Sequence, residues 1–199
     1  MKEFKNLSVR ERILKTTKEQ FYLKGYDSTS ISDIIESASV SRAGFYGNFQ
    51  SKEELGKEYL DLWKLEINQR FSRLTDSCSS PLQFTKLWYR FLILGIRKGE
   101  SNGCPLSNFA ASRNIQQNSW LKYQQDALND WLDVMVRLIK RSEIEGTFCS
   151  EEKPESIARN FFLIYQGALA MWKIDGEIAH LKEGRQLTEY YLKNISICR

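Results

Sequence analysis

The sequence predicts an all-helical fold in which a small N-terminal module precedes a larger helical domain. Apolar residues recur at three- and four-residue intervals along most of the chain, and only 3 prolines and 11 glycines interrupt it. No stretch shows the sustained alternation of a strand. At 199 residues the chain can bury a core but is short for two full-sized domains, which favours a small module joined to a larger one.

Each element has its own local justification. A first helix is expected from about Ser8 to Lys24, with Ile13, Leu14 and Phe21 on one side and Gly25 as a C-terminal breaker. Ser30 can cap a second, short helix carrying Ile31, Ile34 and Ile35, because Asp33 at its third position completes a capping box. Ser41 can cap a third. Longer helices follow near Lys52 to Leu74, Leu82 to Lys98, from Pro105, Ser119 to Ile144, Glu155 to Lys173 and Gly184 to Ile197. The breaks are the run Ser77 to Pro81, Gly99 to Gly103, Gly146 and Pro154.

Composition narrows the function classes. The chain carries 29 basic and 25 acidic residues, a net charge of +4 too small to announce nucleic acid. Residues 1–52 hold nine basic and six acidic side chains, so most of the excess is N-terminal. No apolar run reaches the roughly 18 residues of a membrane span, and the polar start lacks a secretory signal's apolar core. A cytoplasmic protein without membrane partners is expected. Cys78, Cys104, Cys149 and Cys198 are scattered without metal-ligand spacing, so no metal or cofactor is expected and all four are expected as free thiols. There is no His-based triad and no phosphate-cradling glycine loop, which argues against an enzyme.

The informative segment is Ala38 to Phe49. Two short helices separated by a three-to-four-residue turn form a helix-turn-helix, whose second helix enters the DNA major groove. Val40, Phe45 and Phe49 can pin that helix, leaving Arg42, Ala43, Gly44, Tyr46 and Asn48 outward. Small Ala43 and Gly44 allow close approach to bases, Arg42 can pair with guanine or phosphate, Asn48 can read a base edge or phosphate, and Tyr46 suits a phosphate oxygen.

The ordered set of Gly25-Tyr26, Thr29-Ser30-Ile31, Ser41 to Phe49 and Ser51-Lys52-Glu53-Glu54-Leu55 resembles the tetracycline-repressor (TetR) family over about the first quarter of the chain. The resemblance implies phosphate contacts at Thr29, Ser30, Tyr46 and Lys52, and base contacts at Arg42, Ala43, Gly44 and Asn48. Ser39 departs from the family pattern, standing where a turn glycine is common, and so does Gly47-Asn48. It further implies a homodimer on palindromic operator half-sites, a DNA-binding domain over residues 1–52, and an effector-sensing and dimerisation domain over 53–199. Ile157, Phe161, Ile164, Tyr165, Ala168 and Trp172 offer one apolar stripe for dimerisation, and Leu187, Tyr190, Tyr191 and Ile195 the facing one.

All five tryptophans follow the DNA-binding module. Trp88 and Trp131, with Tyr165, are candidates for an apolar effector pocket, and ordinary core packing is the competing reading. Cys104 precedes Pro105, placed as a first helical residue, so its thiol sits at a helix N-terminus that favours thiolate. The stretch Gly103 to Ala110 resembles an element of a TetR branch containing repressors of electrophile- and bleach-detoxifying operons. There a lysine of the eighth helix lies close to the cysteine, a role implied for Lys173. His180 reads as a solvated residue after the eighth helix. The expected function is a transcriptional regulator, a repressor released by a small-molecule effector or by electrophile or oxidant modification of Cys104. The alternative is a helical protein-interaction adaptor that ignores DNA.

Overall fold

The computed structural model describes residues 6–111 and 118–197, except the side chains of 118 and 119. Among these residues there are nine helices and no strand: α1 (Val9–Lys24), α2 (Ile31–Ser37), α3 (Arg42–Tyr46), α4 (Lys52–Asp76), α5 (Pro81–Arg97), α6 (Pro105–Ala110), α7 (Asn118–Ile144), α8 (Pro154–Asp175) and α9 (Ala179–Ile195). They form two compact units, Met1–Leu65 with Pro105–Gln124, and Glu66–Cys104 with Gln125–Arg199.

Local chemistry explains most boundaries. Ser8 and Ser30 each accept a backbone N–H from the residue three positions on, Glu11 and Asp33, and both carboxylates accept in return from the capping residue's own N–H. Ser80 caps α5 ahead of Pro81 at its first turn. Gly25 at φ 91° and Gly176 at φ 81° end α1 and α8.

The first unit is built on Ile13, Phe21, Ile34, Phe45, Phe49, Leu55 and Tyr59, all buried, with Val40 packed partly buried against them. Phe109 and Trp120 complete this core from α6 and α7. Tyr26 meets both rings edge-on, at 5.0 and 6.2 Å. Gly56 lies beneath these three rings, where an added Cβ would stand 2.9 Å from Tyr26.

In the second unit α8 packs against α9, and α5 lies along α9. Here α9 begins at Ala179, five residues before the expected Gly184. Gly184 is an interior packing residue: a Cβ there would stand 2.6 Å from Ala168 Cβ and 3.0 Å from the Tyr89 hydroxyl. Close helix approach, and not chain breaking, accounts for the glycine.

Cys149 corrects the expectation of free thiols throughout. It is disulfide-bonded, whereas Cys78 and Cys104 are free and buried. The physical reason is that the chain end folds back beside it: Ser150 and Ser196 form an antiparallel bridge, and Ile197 N donates to the Cys149 carbonyl at 2.9 Å. Cys198 lies outside the described residues.

Candidate nucleic-acid interface

Four residues, 38–41, separate α2 from α3. Ser39 adopts φ 52°, the one positive φ of a non-glycine among the described residues. That is the conformation a turn glycine would supply, and its adoption by serine costs roughly 1–2 kcal/mol. Arg12 of α1 compensates by donating to the Ser39 carbonyl at 3.0 Å and reaching that of Ala38 at 3.5 Å.

Ser41 Oγ accepts the Gly44 N–H at 3.0 Å, satisfying a free amide at the start of α3. Phe45 and Phe49 are fully buried, their rings 6.0 Å apart, and anchor the helix. Arg42, Ala43 and Tyr46 face solvent, and Gly44 is half-buried. Asn48 is also half-buried, and its amide donates to the Gly44 carbonyl at 2.8 Å, closing the end of α3. That bond uses the amide N–H and leaves the carboxamide oxygen out of it.

Three expected phosphate contacts lie around this helix. Ser30 is exposed at the start of α2, where Asp33 accepts from its hydroxyl at 2.7 Å. Lys52 opens α4 with its Nζ 4.4 Å from the centre of the Tyr26 ring. Burial lowers the Lys52 pKa from its ordinary value, against the opposing pull of the Asp27 and Asp33 carboxylates. Thr29 departs from the expected set. It is fully buried, and its hydroxyl donates to the Gly25 carbonyl at 2.9 Å. Its side chain secures the link between α1 and α2 and does not reach solvent.

The second unit gathers the aromatic candidates. Trp88, Trp131 and Tyr165 are buried in one cluster. Phe71 lies 4.5 Å from Trp88 and stacks on Trp131 at 6.0 Å, while Tyr165 meets Trp88 at 5.8 Å. Trp88 Nε1 is buried with no hydrogen-bond partner, an uncompensated donor in an apolar surrounding. Cys104 is 2 % exposed, immediately ahead of α6. Lys173 is exposed in the last turn of α8.

The expected dimerisation stripe divides in two. Ile157, Phe161, Tyr165 and Ala168 are buried inside the chain's own core, because α9 packs along α8 and the Phe84 and Trp88 rings of α5 meet Phe161 and Tyr165. Leu163, Met171 and Ile174 of α8, with Leu187 and Tyr190 of α9, remain exposed instead. Sequence periodicity missed the exposed α8 residues because one apolar stripe cannot reveal which of two neighbours will cover it.

A capped short helix, locked by buried rings and set behind a four-residue turn with Arg42, Ala43 and Tyr46 in solvent, defines a helix-turn-helix DNA-binding regulator. Residues 13–59 match the model for bacterial regulatory proteins of the tetR family, and the chain belongs to the TetR family of transcriptional regulators. It is 22 % identical over 171 residues to the transcriptional regulator AcuR of Cereibacter sphaeroides, covering 83 % of this chain and 76 % of that one. It is 21 % identical to the transcriptional repressor DhaR of Mycobacterium sp. strain GP1, covering 84 % and 83 %. The crystal structure of the reduced form of Escherichia coli NemR shares the fold, with TM-score 0.81 and 18 % identity over 96 % of this chain and 98 % of that one. The protein is therefore a DNA-binding transcriptional regulator and not an enzyme. Among the described residues no helix is long and apolar enough to cross a membrane.

Proposed function

We propose that this chain is a cytoplasmic repressor that binds palindromic operator DNA as a homodimer and is released by an apolar effector. Residues 1–52 would form the DNA-binding domain and 53–199 the effector-sensing and dimerisation domain. Arg42, Ala43 and Gly44 contact bases, with the Asn48 oxygen at the edge of the same surface. Ser30, Tyr46 and Lys52 hold phosphates. The observation that supports this most is the division of α3, in which Phe45 is fully buried while Arg42, Ala43 and Tyr46 stay in solvent. Two half-sites about 34–36 Å apart, or a multiple, then suit two copies. The exposed face of α8 and α9 is the surface for the second copy.

The effector is assigned to the cluster of Trp88, Trp131 and Tyr165. The unpartnered Trp88 N–H supports an aromatic ligand carrying an oxygen acceptor. The 25-residue α4, continuous from Lys52, would carry the change. Tenfold release from the operator needs a loss of about 1.4 kcal/mol in relative affinity. The test is fluorescence anisotropy of a labelled operator selected from genomic fragments, followed by titration of aromatic carbonyl compounds. A compound that releases the wild type and fails on Trp88→Phe is expected. Release of both alike would place the effector elsewhere, and salt-independent indifference to every duplex would remove the whole reading.

A second route rests on Cys104, which is free and sits directly before α6. Modification by a small electrophile or oxidant, with Lys173 as an amine partner, would act on the same equilibrium. If N-ethylmaleimide or hypochlorite releases DNA from the Cys104→Ser protein as readily as from the wild type, this route is excluded.

A further inference from the structure

A concave site of about 500 Å3 lies between α5 and α9, lined by Lys86, Arg90 and Arg97 on one side and Arg185 and Glu189 on the other. None of its lining residues belongs to the aromatic cluster or to the DNA-binding set, and nothing in the DNA-binding role uses it. Positions 86, 90 and 97 fall on one face of α5, at spacings of four and seven residues. Like charges four residues apart, as at positions 86 and 90, repel at a cost of a few tenths of a kcal/mol. The helix dipole accounts for Arg97, in the last turn of α5. It does not account for Lys86 and Arg90, in mid-helix.

Among the described residues, little that lines the site neutralises these groups. Among the described residues, Glu189 is the single carboxylate lining the site, and it is engaged by Arg185, Nε to Oε1 at 3.5 Å. That Nε is buried and makes no hydrogen bond. Four cations against one anion therefore converge on a hollow of small-ligand size. Leu87 and half-exposed Leu94 add an apolar wall to the same hollow.

We propose that the α5–α9 cleft binds a small polyanion, a metabolite bearing several phosphate or carboxylate groups beside an apolar portion. The guanidinium groups of Arg90, Arg97 and Arg185 match such oxyanions because each can donate two parallel N–H bonds. Its volume of about 500 Å3 suits one small molecule. The site would give the regulator a second input, independent of the aromatic cluster and of the operator reading.

Isothermal titration of the full-length protein tests this with two probes, tripolyphosphate and citrate, at about 0.05 M salt where screening is weak. Saturable binding of one ligand per chain is expected for one or both probes, and the preferred probe distinguishes phosphate from carboxylate recognition. Arg90→Gln and Arg185→Gln should each weaken it about tenfold or more. Arg137→Gln, an equal charge change at an exposed position of α7 outside the cleft, should leave it unaltered. Lys86→Gln serves if either arginine variant loses its helical circular dichroism. Absence of saturable binding for both probes overturns the proposal, as does equal weakening in the Arg137 control. DNA binding is measured separately, so neither result bears on the operator reading.

Discussion

Arg12 donates to the carbonyl of Ser39 at 3.0 Å, tying the first helix to the one residue of the turn held in a left-handed conformation. Replacing Arg12 with Met removes this charge-assisted bond and should cost about 1 kcal/mol, since the contact is exposed. Operator affinity should fall with it, because the same turn aims α3. Ser39→Gly should act in the opposite sense and raise stability by about 1 kcal/mol, the left-handed penalty being relieved. Urea unfolding of both variants reads these shifts, and a destabilised Ser39→Gly would contradict the strain assigned to the turn.

The two kinds of contact at the DNA surface separate by specificity. Arg42→Ala should lose about 1–3 kcal/mol on the operator and relax preference at one base position. Tyr46→Phe and Lys52→Met should weaken specific and random duplex alike, and Lys52→Met should lower the salt dependence by about one unit of slope. Anisotropy on both duplexes across a salt series measures this. Equal losses on both for Arg42→Ala would reassign that guanidinium to phosphate.

The exposed apolar side chains of α8 and α9 predict a dimer that one charge can break. Leu187 is 59 % exposed in the single chain, so Leu187→Glu should leave the monomer folded while desolvation of a carboxylate opposes pairing. Sedimentation should show monomers at concentrations where the wild type is dimeric, together with loss of operator binding. A dimeric Leu187→Glu protein would move the interface away from this face.

Gly184 predicts a packing defect. Its Cβ-less position lets α9 approach Ala168, so Gly184→Ala should be destabilising by roughly 1–3 kcal/mol despite alanine's better helix propensity. Chemical denaturation of the purified variant checks the sign.

His180 carries a pH signature. Its ring nitrogen lies 2.7 Å from Asp175 Oδ2, and this hydrogen bond lifts its pKa above the ordinary value. Because the folded value is raised, the stabilisation is complete below the unfolded pKa of about 6.5 and disappears as pH climbs through the folded value. Asp175 is lowered mainly by the same bond, so its share is present above the ordinary Asp value and fails as pH falls through the depressed one. The melting difference between wild type and His180→Asn should thus be largest below the unfolded pKa of about 6.5 and shrink as pH rises through the raised folded value. A difference that grows with pH would contradict the pairing.

Much of the DNA-binding module was legible because its determinants are local. Ser30 with Asp33, and Ser41 with Gly44, meet within one helical turn, so three-residue spacing suffices to place both caps. The burial of Phe45 and Phe49 followed from periodicity in the same way. The burial of Thr29 was not legible, because its hydroxyl donates to Gly25, four residues back, and a competing backbone acceptor cannot be seen in a motif. The pairing of His180 with Asp175, an exposed contact, was not legible because the two become neighbours only when the link between α8 and α9 closes.

The sequence by itself determined that the chain is helical, where most helices start, and which short helix turns Arg42 and Tyr46 outward, since caps and amphipathic periods act over a few residues. Tertiary structure alone decided the rest. Ala168 and Tyr89 made Gly184 an interior contact and not a helix start, the folded-back segment brought Ile197 beside disulfide-bonded Cys149, and the side of α8 left uncovered exposed Leu163, Met171 and Ile174. The physical reason is common to all three: burial and close approach depend on which distant segment arrives, and no local spacing encodes that arrival.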